Sequence, residues 1–121
     1  MKKWKKPTKD FYMMPNDIFK VGLDPFSFMI LSYLVRRMND DSECWPSIST
    51  MHKDLGISVS TIQDRLNYLK KRNLIAVGKC TASGKFKNNV YTVCSIEDPE
   101  VYRDLTPPEE LPLFIGDELP L

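Results

Sequence analysis

The chain has 121 residues, 42% hydrophobic and 27% charged, with a formal net charge of +1. These values fit one globular domain with a modest core and exclude wholesale disorder. The three cysteines, Cys44, Cys80 and Cys94, are odd in number and far apart, and His52 is the sole histidine. A zinc site therefore lacks ligands at usable spacing, and reduced thiols of a cytoplasmic protein are the expectation. No apolar run has the length of a signal peptide core or a membrane span, so no membrane role is expected.

The small net charge hides a split. Residues 1–95 hold sixteen Lys and Arg against eight Asp and Glu, or +8, whereas residues 96–121 hold one Arg against eight acids, or −7. A basic body followed by an acidic tail predicts a polyanion as partner of the first and a different role for the second.

Residues 1–9, MKKWKKPTK, place five lysines around Trp4 and Pro7. Two readings stand: an arm laid on DNA phosphates or in a minor groove, or a solubilising end. Residues 10–23 predict an extended apolar segment and one helical turn, capped by Asn16 and stopped by Gly22. Phe11, Tyr12, Ile18 and Phe19 are expected to cover the domain's edge or to meet a partner. Asp24-Pro25 is a helix start, a capping carboxylate followed by proline at the first helical position. The helix should reach Met38 or Asn39. Phe26, Phe28, Met29, Ile30, Leu31, Tyr33, Leu34 and Val35 wrap most of its circumference, which predicts a central helix buried on more than one side. Residues 39–45, NDDSECW, read as an acidic solvated loop without the ligand spacing of a calcium loop, with Trp45 anchoring the entry to a two-helix unit.

Pro46 to Ile75 organise the chain. Ser47 caps a helix whose Ile48, Met51 and Leu55 form an apolar stripe, and Gly56 ends it in the left-handed conformation. Ile57 plugs the corner and Ser58 caps a second helix. Ile62, Leu66 and Leu69 face inward, leaving Ser60, Thr61, Gln63, Asp64, Asn67 and Lys71 on the opposite face. An ordinary antiparallel helix pair would share some of these features, but their order is the layout of a helix-turn-helix whose second helix enters a DNA major groove.

Leu74, Ile75 and Val77 then begin a strand, TASGKFK forms a turn with Gly84 at positive φ, and Val90 to Val93 return. A hairpin directly after such a helix is a wing, with Lys79, Lys85 and Lys87 near its tip. Ser83–Lys85 is not a phosphate-binding P-loop, since the preceding glycine pattern is missing. Residues 97–121 contain five of the nine prolines, which favours an extended tail. Its apolar residues, among them Leu111, Leu113, Phe114 and Ile115, leave three roles open: docking a partner, screening the basic face, or packing on its own domain.

The run CWPSISTMHKDLGISVSTIQDRLNYLKKRNLIAVGK, followed by NNVYTV, resembles the winged helix-turn-helix domain of phage, plasmid and conjugative-element DNA-binding proteins. The resemblance rests on Pro46-Ser47, Gly56-Ile57-Ser58, Leu74-Ile75 and Asn89-Val90-Tyr91 and covers residues 24–94. FYMMPNDIF looks like the lead-in of plasmid replication initiators. That family often carries Arg or Lys early in the second helix, at the positions of Val59, Ser60 and Asp64. None of the three is basic here, so phosphate attraction falls to other lysines and arginines.

The expected fold is mainly α with a small β-hairpin (α+β), a winged helix-turn-helix at 10–96 between a basic arm (1–9) and an acidic proline-rich tail (97–121). The expected function is non-catalytic, sequence-specific binding of double-stranded DNA, as a transcriptional regulator of a mobile element. Base-edge candidates are Ser60, Thr61, Gln63, Asp64 and Asn67; phosphate candidates are Lys53, Ser58, Lys71, Arg72, Lys85 and Lys87. No metal or cofactor is expected, and the location is cytoplasmic, on the bacterial nucleoid. A homodimer and a protein partner for the acidic tail are further candidate partners. Two alternatives stay open: a replication initiator or replisome-organising protein, and an adaptor that uses the same fold and tail to bind protein.

Overall fold

The computed structural model describes residues 1–82 and 86–97, at 80–82 and 86–88 as backbone alone. The expectations for Gly84, for Lys85 and for the tail beyond Glu97 lie outside the described residues. Among those described, the chain forms a 3₁₀ helix (Asn16–Lys20), α1 (Pro25–Arg37), β1 (Glu43–Cys44), α2 (Ile48–Leu55), α3 (Val59–Lys71), β2 (Ile75–Ala82) and β3 (Phe86–Val93).

Each α-helix starts where a short polar side chain can take up an orphan backbone N–H. Asp24 accepts from the Ser27 amide at 3.1 Å, Ser47 from Thr50 at 3.0 Å and Ser58 from Thr61 at 3.3 Å. The 3₁₀ helix departs from expectation: Pro15 occupies the cap position, no side chain caps, and Asn16 is the first helical residue. Pro15 suffices because its carbonyl accepts the Ile18 amide at 3.1 Å in the tighter three-residue pattern. Gly56 ends α2 at φ +69°, a conformation glycine adopts without a Cβ clash.

The apolar stripes meet in one core. Met51, Ile62, Leu69, Ile30, Leu34, Val21 and Leu74 are wholly enclosed, and Ile57 fills the corner between α2 and α3. α1 packs against α2, α3, β1 and β3. Even so it is not covered all round: Phe26 and Met29 remain 53% and 47% exposed. They sit one helical turn apart on the exposed side of α1. Of the four residues expected to cover the domain's edge, Ile18 alone is buried; Phe11, Tyr12 and Phe19 stay exposed, Phe19 stacked on Phe28 with ring centroids 5.7 Å apart.

β2 and β3 pair antiparallel from Ile75↔Val93 to Ala82↔Phe86. The stretch expected to be a loop supplies a third strand, since Glu43 and Cys44 pair with Thr92 and Tyr91 on the far side of β3. Two residues carry no alternation, so only the pairing reveals this strand. Asn39 shapes the turn before it, its side-chain oxygen accepting from the Asp41 and Glu43 amides. Trp45 does not anchor the two-helix unit: it is 56% exposed, while Cys44 and Pro46 on either side are buried. Period-two alternation of an extended segment turns Trp45 outward.

Polar cross-links join the helices. The Tyr33 hydroxyl donates to the Asp54 carboxylate at 2.6 Å and accepts from Arg37 at 2.9 Å, tying α1 to α2. Burial first, and then the Asp54 carboxylate, raise the Tyr33 pKa above the ordinary phenol value. His52 and the Ile57 carbonyl are 2.7 Å apart across the α2–α3 turn. A carbonyl only accepts, so Nδ1 carries the proton there.

Candidate nucleic-acid interface

α3 has two chemically distinct sides. Its inward side is apolar, with Ile62, Leu66 and Leu69 buried. Its outward side exposes Ser60, Gln63, Asp64, Asn67, Lys70 and Lys71. Gln63 and Asn67 are one turn apart and spend their amides on no other described residue. Thr61 is half-buried, its hydroxyl receiving a 2.8 Å bond from Ser58. That bond and the Thr61 amide occupy the Ser58 hydroxyl in helix capping, so an anion at this helix start would meet backbone N–H groups before the serine side chain.

The acidic residue on this face is compensated. Asp64 accepts from Arg65 Nε at 2.8 Å and from a second nitrogen of the same guanidinium. Arg65 also reaches Asp24 Oδ1 at 3.1 Å, linking α3 to the capping residue of α1. The hydrogen bond from Arg65 to Asp64 is the main reason the Arg65 pKa is raised. Burial alone would raise the Asp24 carboxyl, but the Ser27 bonds and the Arg65 charge outweigh it and hold the group below the ordinary carboxylate value. Arg65 therefore serves two carboxylates.

Arg72 corrects the expectation placed on it. It is 2% exposed, donates to the Val21 carbonyl at 2.6 Å and to the Tyr68 hydroxyl at 2.7 Å, and lies over the Tyr68 ring at 5.7 Å. A guanidinium enclosed in this way meets no phosphate. The chain leaves α3 at Arg72, and the reversal into β2 carries this side chain inward. Lys53 and Lys71 are exposed as expected, and Lys70 and Lys79 join them. Lys87 is placed as the register partner of Thr81; Lys85 lies outside the described residues.

A cleft of about 330 Å³ separates α3 from the hairpin. Gln63 and Asn67 line it from α3, Asn89 from β3, and Ile48, Leu66 and Val77 supply its apolar wall. Asn89 is the polar residue that sequence reasoning missed. Its signal was the Asn-Val-Tyr step, in which Asn89 and Tyr91 share a strand face. Among the described residues no group of three or more His, Cys, Asp or Glu is placed to hold a metal ion, and no helix is long and apolar enough to cross a membrane.

Residues 22–75, from the glycine before α1 to the first residue of β2, match the helix-turn-helix domain family. No curated protein is significantly similar in sequence. Among solved structures, a possible transcriptional regulator from Methanosarcina mazei Go1 is similar over 67% of this chain and 66% of that one. Its TM-score is 0.50 and its identity 18%, a likeness of fold. The fold is a winged helix-turn-helix. The winged helix-turn-helix extends beyond the family match by the hairpin of β2 and β3, and β1 closes the sheet on its other edge.

Proposed function

We propose that this chain binds double-stranded DNA, with α3 in the major groove and the hairpin on the flanking backbone, and acts as a transcriptional regulator of a mobile element rather than as an enzyme. One observation carries the reading: the outward side of α3 holds carboxamides at Gln63 and Asn67 that bond to no other described residue, flanked by Ser60 and continued by Lys70 and Lys71. Carboxamides match base edges, and lysines at the helix end match phosphates. In this assignment Lys53 and Lys71, with Lys85 and Lys87 of the wing, serve the backbone. Gln63 and Asn67 serve the bases, joined by Ser60, Thr61 and Asp64 where their present hydrogen bonds are exchanged. The engagement of Asp64 with Arg65 removes the repulsion that an isolated carboxylate would exert on phosphate.

The test is titration of the full chain with random-sequence duplex at two salt concentrations, followed by selection of preferred sites. Salt-sensitive binding supports the proposal. Palindromic selected sites would favour a dimeric regulator, whereas tandem repeats would favour the role at a replication origin. No binding at low salt, with or without residues 97–121, would overturn DNA binding in favour of a protein-binding adaptor.

A further inference from the structure

The α3–wing cleft has a composition that the outward face of α3 alone does not. Gln63, Asn67 and Asn89 bring three carboxamides to one space, two from the helix and one from the strand, with no charged side chain among the described residues that line it. Asn89 is held from below: its amide nitrogen donates at 3.3 Å to the hydroxyl of Tyr91, a residue 1% exposed in the core. That bond orients the side chain, and among the described residues nothing else bonds to its oxygen or second amide hydrogen. Beside the amides lie the half-buried Ile48 and Val77.

A carboxamide offers a donor and an acceptor in one plane, the complement of the N7 acceptor and N6 amino donor on adenine's major-groove edge. An apolar wall next to it suits the thymine methyl group. A phosphate would instead call for a cation, and none of the described residues that line the cleft is one. We infer that Gln63, Asn67 and Asn89, with Ile48 and Val77, form one reading site for an A·T base pair, shared between the recognition helix and the wing. The inference rests on the DNA-binding reading and deepens it. Sequence choice would then depend on the hairpin's register as well as on α3. A helix-turn-helix lacking the hairpin would lose this base pair's contribution.

The experiment uses sites selected by the full chain from a random duplex pool. At one A·T position, change to G·C should weaken binding by about tenfold, within the range of a good bidentate contact. At the same position 7-deazaadenine, which lacks N7, and deoxyuridine, which lacks the methyl group, should each weaken binding. N89A and Q63A should each abolish the preference there, lowering affinity for the selected site more than affinity for unrelated duplex. Their double variant should lose little more than either single one, as residues sharing one contact do. Because N89A also removes a bond to Tyr91, Y91F, which releases Asn89 but keeps its carboxamide, should weaken the preference less than N89A does.

Loss of preference in Y91F equal to that in N89A would make Asn89 structural and overturn the inference. A uniform loss of affinity on all sequences in N89A would overturn it in favour of a backbone contact. So would an A·T preference indifferent to Asn89. Failure of the unaltered protein to bind any duplex at low salt would sink the DNA-binding reading along with it. Binding without an A·T preference would sink this inference alone.

Discussion

Replacement of Arg72 by alanine separates a buried cross-link from a DNA contact. The guanidinium reaches from the end of α3 to the Val21 carbonyl, 51 residues away in sequence, and to the Tyr68 hydroxyl, at 2.6 and 2.7 Å. Removing it leaves that carbonyl short of a donor in the interior, a cost of about 1–3 kcal/mol. Loss of the stacking on Tyr68, 5.7 Å from the ring centroid, adds about 1–2 kcal/mol for a desolvated pair. The expected destabilisation is about 3–5 kcal/mol, allowing for the side chain's lost packing. Methionine at this position should recover part of the packing and none of the hydrogen bonds. Urea denaturation followed by circular dichroism measures the change as a lower midpoint at unchanged slope. At a temperature where both variants stay folded, the salt dependence of DNA binding should equal that of the unaltered protein. A stability change under about 0.5 kcal/mol, together with a salt slope shallower by about one unit, would refute the buried assignment.

Three further outcomes are expected. Lys85→Ala with Lys87→Ala should weaken binding on all sequences alike and flatten the salt slope by about one unit per lost phosphate contact, read by anisotropy titration across salt concentrations; an unchanged slope removes the wing from the phosphate-binding set. Asp24 has a folded-state pKa below the ordinary aspartate value, so its stabilising contribution is complete above that ordinary value and is lost as pH falls through the folded one. Asp24→Asn should flatten the stability profile below about pH 4, and an undiminished slope in urea melts over that range would reject the cause assigned. Gly56→Ala should destabilise by about 1–2 kcal/mol despite open space around its Cβ, because φ is +69°; thermal melting that shows no loss would contradict the left-handed cap.

The inward polar residues show where a linear reading stops. Arg72 follows two lysines and looks, in sequence, like the third member of a basic helix end. Nothing within a few residues distinguishes it, because its partner Val21 is brought near only when α3 packs beside the segment before α1. Asp64 poses the same problem in reverse. In sequence it is a lone acid on the polar side of its helix, yet its neighbour Arg65 engages it and reaches across to Asp24, 41 residues away.

Local rules decided the parts whose cause is local. Asp24, Ser47 and Ser58 each bond to an amide three residues on, a distance the chain cannot vary once the helix begins, so the three α-helix starts were legible from residue type alone. The stripes of α2 and α3, the glycine between them and the hairpin after them arise from periods of 3.6 and 2 in the same way. Tertiary structure decided what depends on which element lies beside which. It made a strand of Glu43-Cys44 by pairing it with β3, turned Trp45 outward, and left Phe26 and Met29 uncovered. It also set Asn89 across a cleft from Gln63 and Asn67. A periodicity records which residues turn inward together; only packing of distant segments determines what they meet, because the burial and hydrogen bonds that stabilise those meetings do not exist until the chain has closed on itself.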